Sequence, residues 1–142
     1  MNYRKRLAKH ESSSSFKAPK GTQVIDVAWL GATVLVVFND KQRIKLAKKL
    51  GVDLNDQLAQ PDCGCDGMAA VVYASTGVPY FIMYLPIDSA RIVVHECTHM
   101  VHMLFDVHGI PLKRNNTETI AYMTDYLCGV VFRMFQDRRG DK

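Results

Sequence analysis

The chain has 142 residues, of which 48% are hydrophobic and 23% charged, enough apolar material for one globular domain with a real core. No apolar run approaches the roughly 20 residues of a spanning helix, and the basic N-terminal stretch lacks the apolar segment of a signal peptide, so neither membrane insertion nor secretion is expected. The net charge is +4. Of the four cysteines, Cys63 and Cys65 sit one residue apart, unlike a secreted disulfide framework, and free thiols in a reducing cytoplasm are expected.

The charge excess lies at the start of the chain. Residues 1–20 carry six Lys/Arg against Glu11 alone, which leaves 12 basic and 13 acidic groups in residues 21–142. This Ser-rich stretch has no periodicity and reads as a solvated, disordered tail. The sharper reading is a basic arm that loosely holds nucleic acid or another polyanion, although nothing in it reads bases. Residues 21–142 then form a single domain. Residues 22–30 (TQVIDVAWL) and 32–39 (ATVLVVFN) are rich in β-branched side chains and predict two strands turning at Gly31. Residues 40–51 fit a short helix closed by Gly51. Residues 52–67 read as loop, and 68–75 with 78–86 as a second strand pair around Thr76-Gly77. A long apolar helix is expected from Asp88 to His108. A last helix follows to about Gln136, capped by Asn115, Asn116 or Thr117. Strands first and helices after give an α+β domain, with the helices packed on one sheet.

The first long helix contains His95-Glu96-x-x-His99. At 100° per residue both imidazoles point the same way one turn apart and can reach one metal ion, while Glu96 is angled toward a metal-bound water without ligating the metal. With five His and only three Glu in the chain, chance would give this pattern roughly four times in a thousand shuffled sequences. The competing reading is an amphipathic helix with two buried histidines, which would need other partners for three polar groups. A catalytic zinc wants three protein ligands and an open position. The pattern with a third His six residues past the second is excluded, because residues 102 and 105 are His and Phe instead of Gly and His. The other large class takes a glutamate from the next helix, and the one later glutamate is Glu118, after an 18-residue spacer.

That spacing, together with ETIAY (118–122), resembles the gluzincin group of zinc metallopeptidases. The stretches CGCDGMAAVVY, GVPYFIMYLP and ETIAYMTDYL are similar to the compact zinc peptidases encoded by bacteriophages. The resemblance covers roughly residues 60–130. It implies zinc held by His95, His99 and Glu118, with Glu96 as general base. It also implies a small mixed sheet in a zincin-like domain, whose edge strand lines the cleft above two motif-bearing helices. The implied activity is hydrolysis of a peptide or protein substrate in the cytoplasm, the host's for a phage product. Larger members carry a further acid four residues past the glutamate, where this chain has Tyr122.

Tyr122, one turn past Glu118, reads either as an oxyanion donor or as an ordinary core-edge residue. Asp125 reads as a carboxylate orienting the histidines or as plain helix surface. His102 shares the metal-facing side and could line the cleft or replace Glu118, although packing between helices is the commoner outcome. His108 is expected to cap its helix. Cys97 and Cys128 read as core thiols, and PDCGCDG (61–67) as a tight loop on the cleft rim in preference to a second metal clip. A second class of function stays open: a binding protein that keeps the scaffold and uses zinc for structure while holding a host or virion partner.

Overall fold

The computed structural model describes residues 16–74 and 76–140, so the reading of a tail in residues 1–15 lies outside the described residues. Phe16, Ala18 and Pro19, within the stretch read as tail, pack against the domain, while Lys17 and Lys20 are exposed. Pro19 is buried, and the Phe16 ring lies 4.9 Å from that of Tyr80.

Four strands form one mixed sheet: β1 (Gln23–Val27), β2 (Ala32–Val37), β3 (Met68–Tyr73) and β4 (Pro79–Tyr84), in the spatial order β1-β2-β4-β3. β1 pairs antiparallel with β2, β2 parallel with β4, and β3 antiparallel with β4. The first strand ends earlier than expected because Ala28–Leu30 coils into a 3-10 turn before Gly31. The apolar runs VLVV and FIMY are legible as central strands, since a strand covered on both faces has no polar side. Their alternation divides them between two cores. Val34, Val36, Phe81 and Met83 face one; Leu35, Val37, Ile82 and Tyr84 face the other.

Helix α1 (Asp40–Leu50) covers the second core with Leu46 and Ala47. It starts where the Asn39 side chain accepts from the Gln42 N–H at 2.9 Å and the Gln42 side chain accepts from the Phe38 N–H at 2.8 Å, and it ends at Gly51 with φ 70°. Helices α2 (Ala90–Val107) and α3 (Thr117–Arg139) cover the first core, both within a residue or three of their expected bounds. No helix among the described residues is long and apolar enough to cross a membrane. The molecule is thus α+β, a small mixed sheet with α1 on one face and α2 and α3 on the other.

Candidate metal centre

The direction in which α2 buries its apolar stripe decides where the motif faces. Val93, Cys97, Met100, Val101, Leu104 and Phe105 turn into the core, so His95, His99, His102 and Asp106 fall on the opposite, solvent-facing side and are exposed. His102 is therefore not packed between helices, as the commoner outcome would have it. It extends the open histidine face by one turn.

The two motif rings meet edge to face with centroids 4.7 Å apart, and His95 Nε2 lies 3.1 Å from His99 Nε2. Two nitrogens bound to one tetrahedral zinc at about 2.0–2.1 Å sit roughly 3.3 Å apart, so the pair presents its donor atoms at nearly the spacing a shared ion requires. The same separation suits a hydrogen bond between one neutral ring and the other.

Glu96, one residue on, is rotated toward the sheet and is only 8% exposed. Gly67, at the entrance to β3, makes this position possible. A Cβ there would lie 2.9 Å from Ile92 Cγ2, 3.1 Å from Glu96 Cγ and 3.2 Å from Glu96 Oε1. The bare backbone of residue 67 thus lies directly over the carboxyl side chain. Glu96, His95, Arg91, Ile92, Asp66 and Gly67 are among the walls of an open cavity of about 450 Å³.

The loop that forms one wall is held from below. Arg43 is 1% exposed. Its Nη1 donates to Leu58 O at 2.5 Å, and its Nη2 to Gln60 O at 2.6 Å and Pro61 O at 3.2 Å. The guanidinium also pairs with Asp40 at 3.1 Å and lies over the Tyr84 ring at 5.1 Å. The Tyr84 hydroxyl donates to Asp40 at 2.6 Å. That bond, with Arg43 second, holds the Asp40 carboxyl below its ordinary value. Burial, with the Asp40 carboxylate second, raises the Tyr84 phenol. Further along, Gln57 Nε2 donates to Cys63 O at 2.7 Å, and Cys63 and Cys65 are joined by a disulfide. The expectation of free thiols fails at this pair because the turn through Gly64, with φ 64°, brings the two sulfurs together. Cys97 and Cys128 are the core thiols expected. Burial pushes both upward in pKa, which suits neither a nucleophile nor a metal thiolate.

The remaining candidates sit on α3. Cys97 and Cys128 interact across the helix pair. Phe105 packs edge-on against Trp29 at 6.1 Å, and Trp29 shares a cavity with Met123. Residue numbers rise on one helix as they fall on the other, so α2 and α3 are antiparallel. The Cys97–Cys128 contact sets the register of the helix pair. Asp125 is three residues from Cys128 and Glu118 ten, so Asp125 is nearer the level of the histidine pair. Both carboxylates are exposed. Among the described residues no three His, Cys, Asp or Glu side chains are gathered to hold a metal. The structure pairs His95 with His99, sets His95 and Glu96 in one cavity wall, and among the described residues gathers neither Glu118 nor Asp125 with the two rings.

Tyr122 is 71% exposed and lines a separate cavity of about 420 Å³ with Trp29, Tyr126 and Met123 on the β1 side. It shares no wall with Glu96. His108 holds the C-terminal cap position of α2, as expected; its ring Nδ1 lies 2.7 Å from Leu104 O, and the ring stacks on Phe81. The loop 61–67, expected on the cleft rim, supplies Asp66 and Gly67 to the cavity wall, and sequence reasoning missed Arg91. Arg91 was within reach, because it stands four residues before His95 on the same helix.

A scan of protein-family models, a search of curated proteins and a search of solved structures each found no match to this chain.

Proposed function

We propose that the chain is a zinc-dependent hydrolase, a small metallopeptidase of gluzincin type on a zincin-like domain. The observation that carries this reading is the pairing of two imidazole nitrogens at 3.1 Å, with His95 of that pair sharing a cavity wall with the buried Glu96. The donor chemistry fits zinc at two of its three protein positions. Zinc held there supplies a Lewis acid for a carbonyl oxygen and lowers the pKa of water toward neutrality.

The chain's own residues do the rest. Glu96 accepts the proton from the attacking water and delivers it to the leaving amine, and its burial keeps the carboxylate pointed at one place. Gly67 admits it there. β3 is an edge strand whose free side can pair with an extended peptide, and its entrance forms part of the cavity wall. The likeness to gluzincins nominates Glu118 as the third donor, whereas the register of the helix pair favours Asp125. With Tyr122 lining the other cavity, the reading includes no tyrosine donor.

The Glu96→Gln variant tests the reading. It keeps shape and one acceptor oxygen while removing the base, so zinc content and folding are expected to stay, while peptide hydrolysis falls by roughly 10² to 10⁴. Unchanged hydrolysis in that variant would overturn the role of Glu96. A second reading, a partner-binding protein with structural zinc, draws support from the exposed rings of Trp29, Tyr122 and Tyr126 around one cavity. It predicts bound zinc and no cleavage by the parent protein.

A further inference from the structure

Among the described residues Arg91 is the one Lys or Arg in the wall that holds His95 and Glu96. It is exposed, and it makes no ion pair within 4 Å among the described residues, in contrast to Arg43 with Asp40 and Arg139 with Asp88. Asp66 shares the cavity without reaching it. Arg91 and His95 are separated by one helical turn, so their Cβ atoms are roughly 5–6 Å apart. Long side chains on a helix lean toward its N-terminus, which carries the guanidinium away from the histidine pair by about the length of one substrate residue.

We infer that this cavity is an acidic-side-chain subsite, in which Arg91 anchors the carboxylate of an Asp or Glu next to the bond that is cut. The inference rests on the hydrolase reading above and names its substrate class. The guanidinium fork matches a carboxylate with two parallel hydrogen bonds, which a lysine ammonium on the substrate cannot accept. Asp66 confines the fit. A carboxylate that reaches past Arg91 toward Asp66 or Glu96 meets like charge, which confines it to the guanidinium. A substrate lysine in the same place faces the guanidinium and is repelled.

Two peptide hydroxamates that differ only in Glu or Lys next to the chelating group serve as probes on the zinc-loaded full chain, with affinity read by titration calorimetry. The Glu probe is expected to bind the parent protein about tenfold or more tighter than the Lys probe, as a charge-assisted pair provides. In Arg91→Ala the ratio falls to near one, and in Arg91→Glu it inverts. Zinc content is unchanged in both, because neither variant touches a donor. Binding of both probes with a ratio near one in the parent, or a preference that survives in Arg91→Ala, overturns the inference and leaves the hydrolase reading standing. Failure of both probes to bind overturns the hydrolase reading and the subsite together.

Discussion

Gly67 and Glu96 show how one missing side chain positions another. A methyl group on residue 67 would meet Ile92 Cγ2 at 2.9 Å and Glu96 Cγ at 3.1 Å, so the first turns of α2 or the carboxylate itself must give way. Overpacking of this kind costs about 1–3 kcal/mol. The Gly67→Ala variant is expected to melt several degrees lower and to lose more than tenfold in hydrolytic rate, since a displaced catalytic group loses rate steeply. Calorimetry and a peptide assay on the same preparation check both. A variant with parent-like values in each would mean that Glu96 does not depend on the close approach.

A second residue-scale expectation concerns pH. Asp40 is held below its ordinary value of 3.8 by the Tyr84 hydroxyl and by Arg43. A depressed folded value stabilises the fold above the unfolded pKa, and this contribution disappears as pH falls through the folded one. Tyr84 is raised from 10.0. Its contribution is full below that value and disappears as pH rises through the folded one. Tyr84→Phe should flatten both the acid and the alkaline shoulder of the stability profile, as read by denaturant melts across pH. A profile identical to that of the parent would remove the Tyr84–Asp40 bond from the account.

At the scale of elements, α2 serves two sides at once. Its apolar stripe holds the first core, and its polar stripe presents His95, His99 and His102 to solvent. The four-residue spacing fixed the histidine pair from sequence, because both residues lie on one helix and no partner element is needed to align them. The third donor was not legible in the same way. The 18-residue spacer matches a known pattern, but which carboxylate stands level with His99 depends on where α2 ends and α3 begins. α2 runs to Val107 and α3 starts at Thr117; Asp125 stands about one turn from Cys128, which meets Cys97, and Glu118 nearly three turns from it, so Asp125 is nearer the level of the pair. Asp125→Asn is therefore expected to weaken zinc by at least tenfold, while Glu118→Gln leaves it nearly unchanged, as measured by competition with a chromogenic chelator. The reverse result would show that the first turn of α3 closes onto the histidines when zinc is bound.

At the scale of the molecule, the two central strands divide the interior into two cores, and the site grows from their boundary. The strand runs were readable because VLVV and FIMY have no polar alternation. The strand before them was over-extended, since nothing in AWL signals the 3-10 turn. Arg43 was the least legible residue. It looks like helix surface in the sequence, yet it is buried because the carbonyls of residues 58, 60 and 61 converge on it from a loop more than a dozen positions away. The Cys63–Cys65 pairing and the cover of Gly67 over Glu96 share that dependence on tertiary placement.

The central claim is that His95 and His99 hold a metal ion together, and zinc per chain measured by elemental analysis tests it most directly. The parent protein should carry about one zinc per chain, and the His95→Ala/His99→Ala protein none while remaining folded, because both side chains are exposed and remove no core contact. Full zinc in the double variant would contradict the account, and so would a parent protein that takes up no zinc at micromolar concentrations.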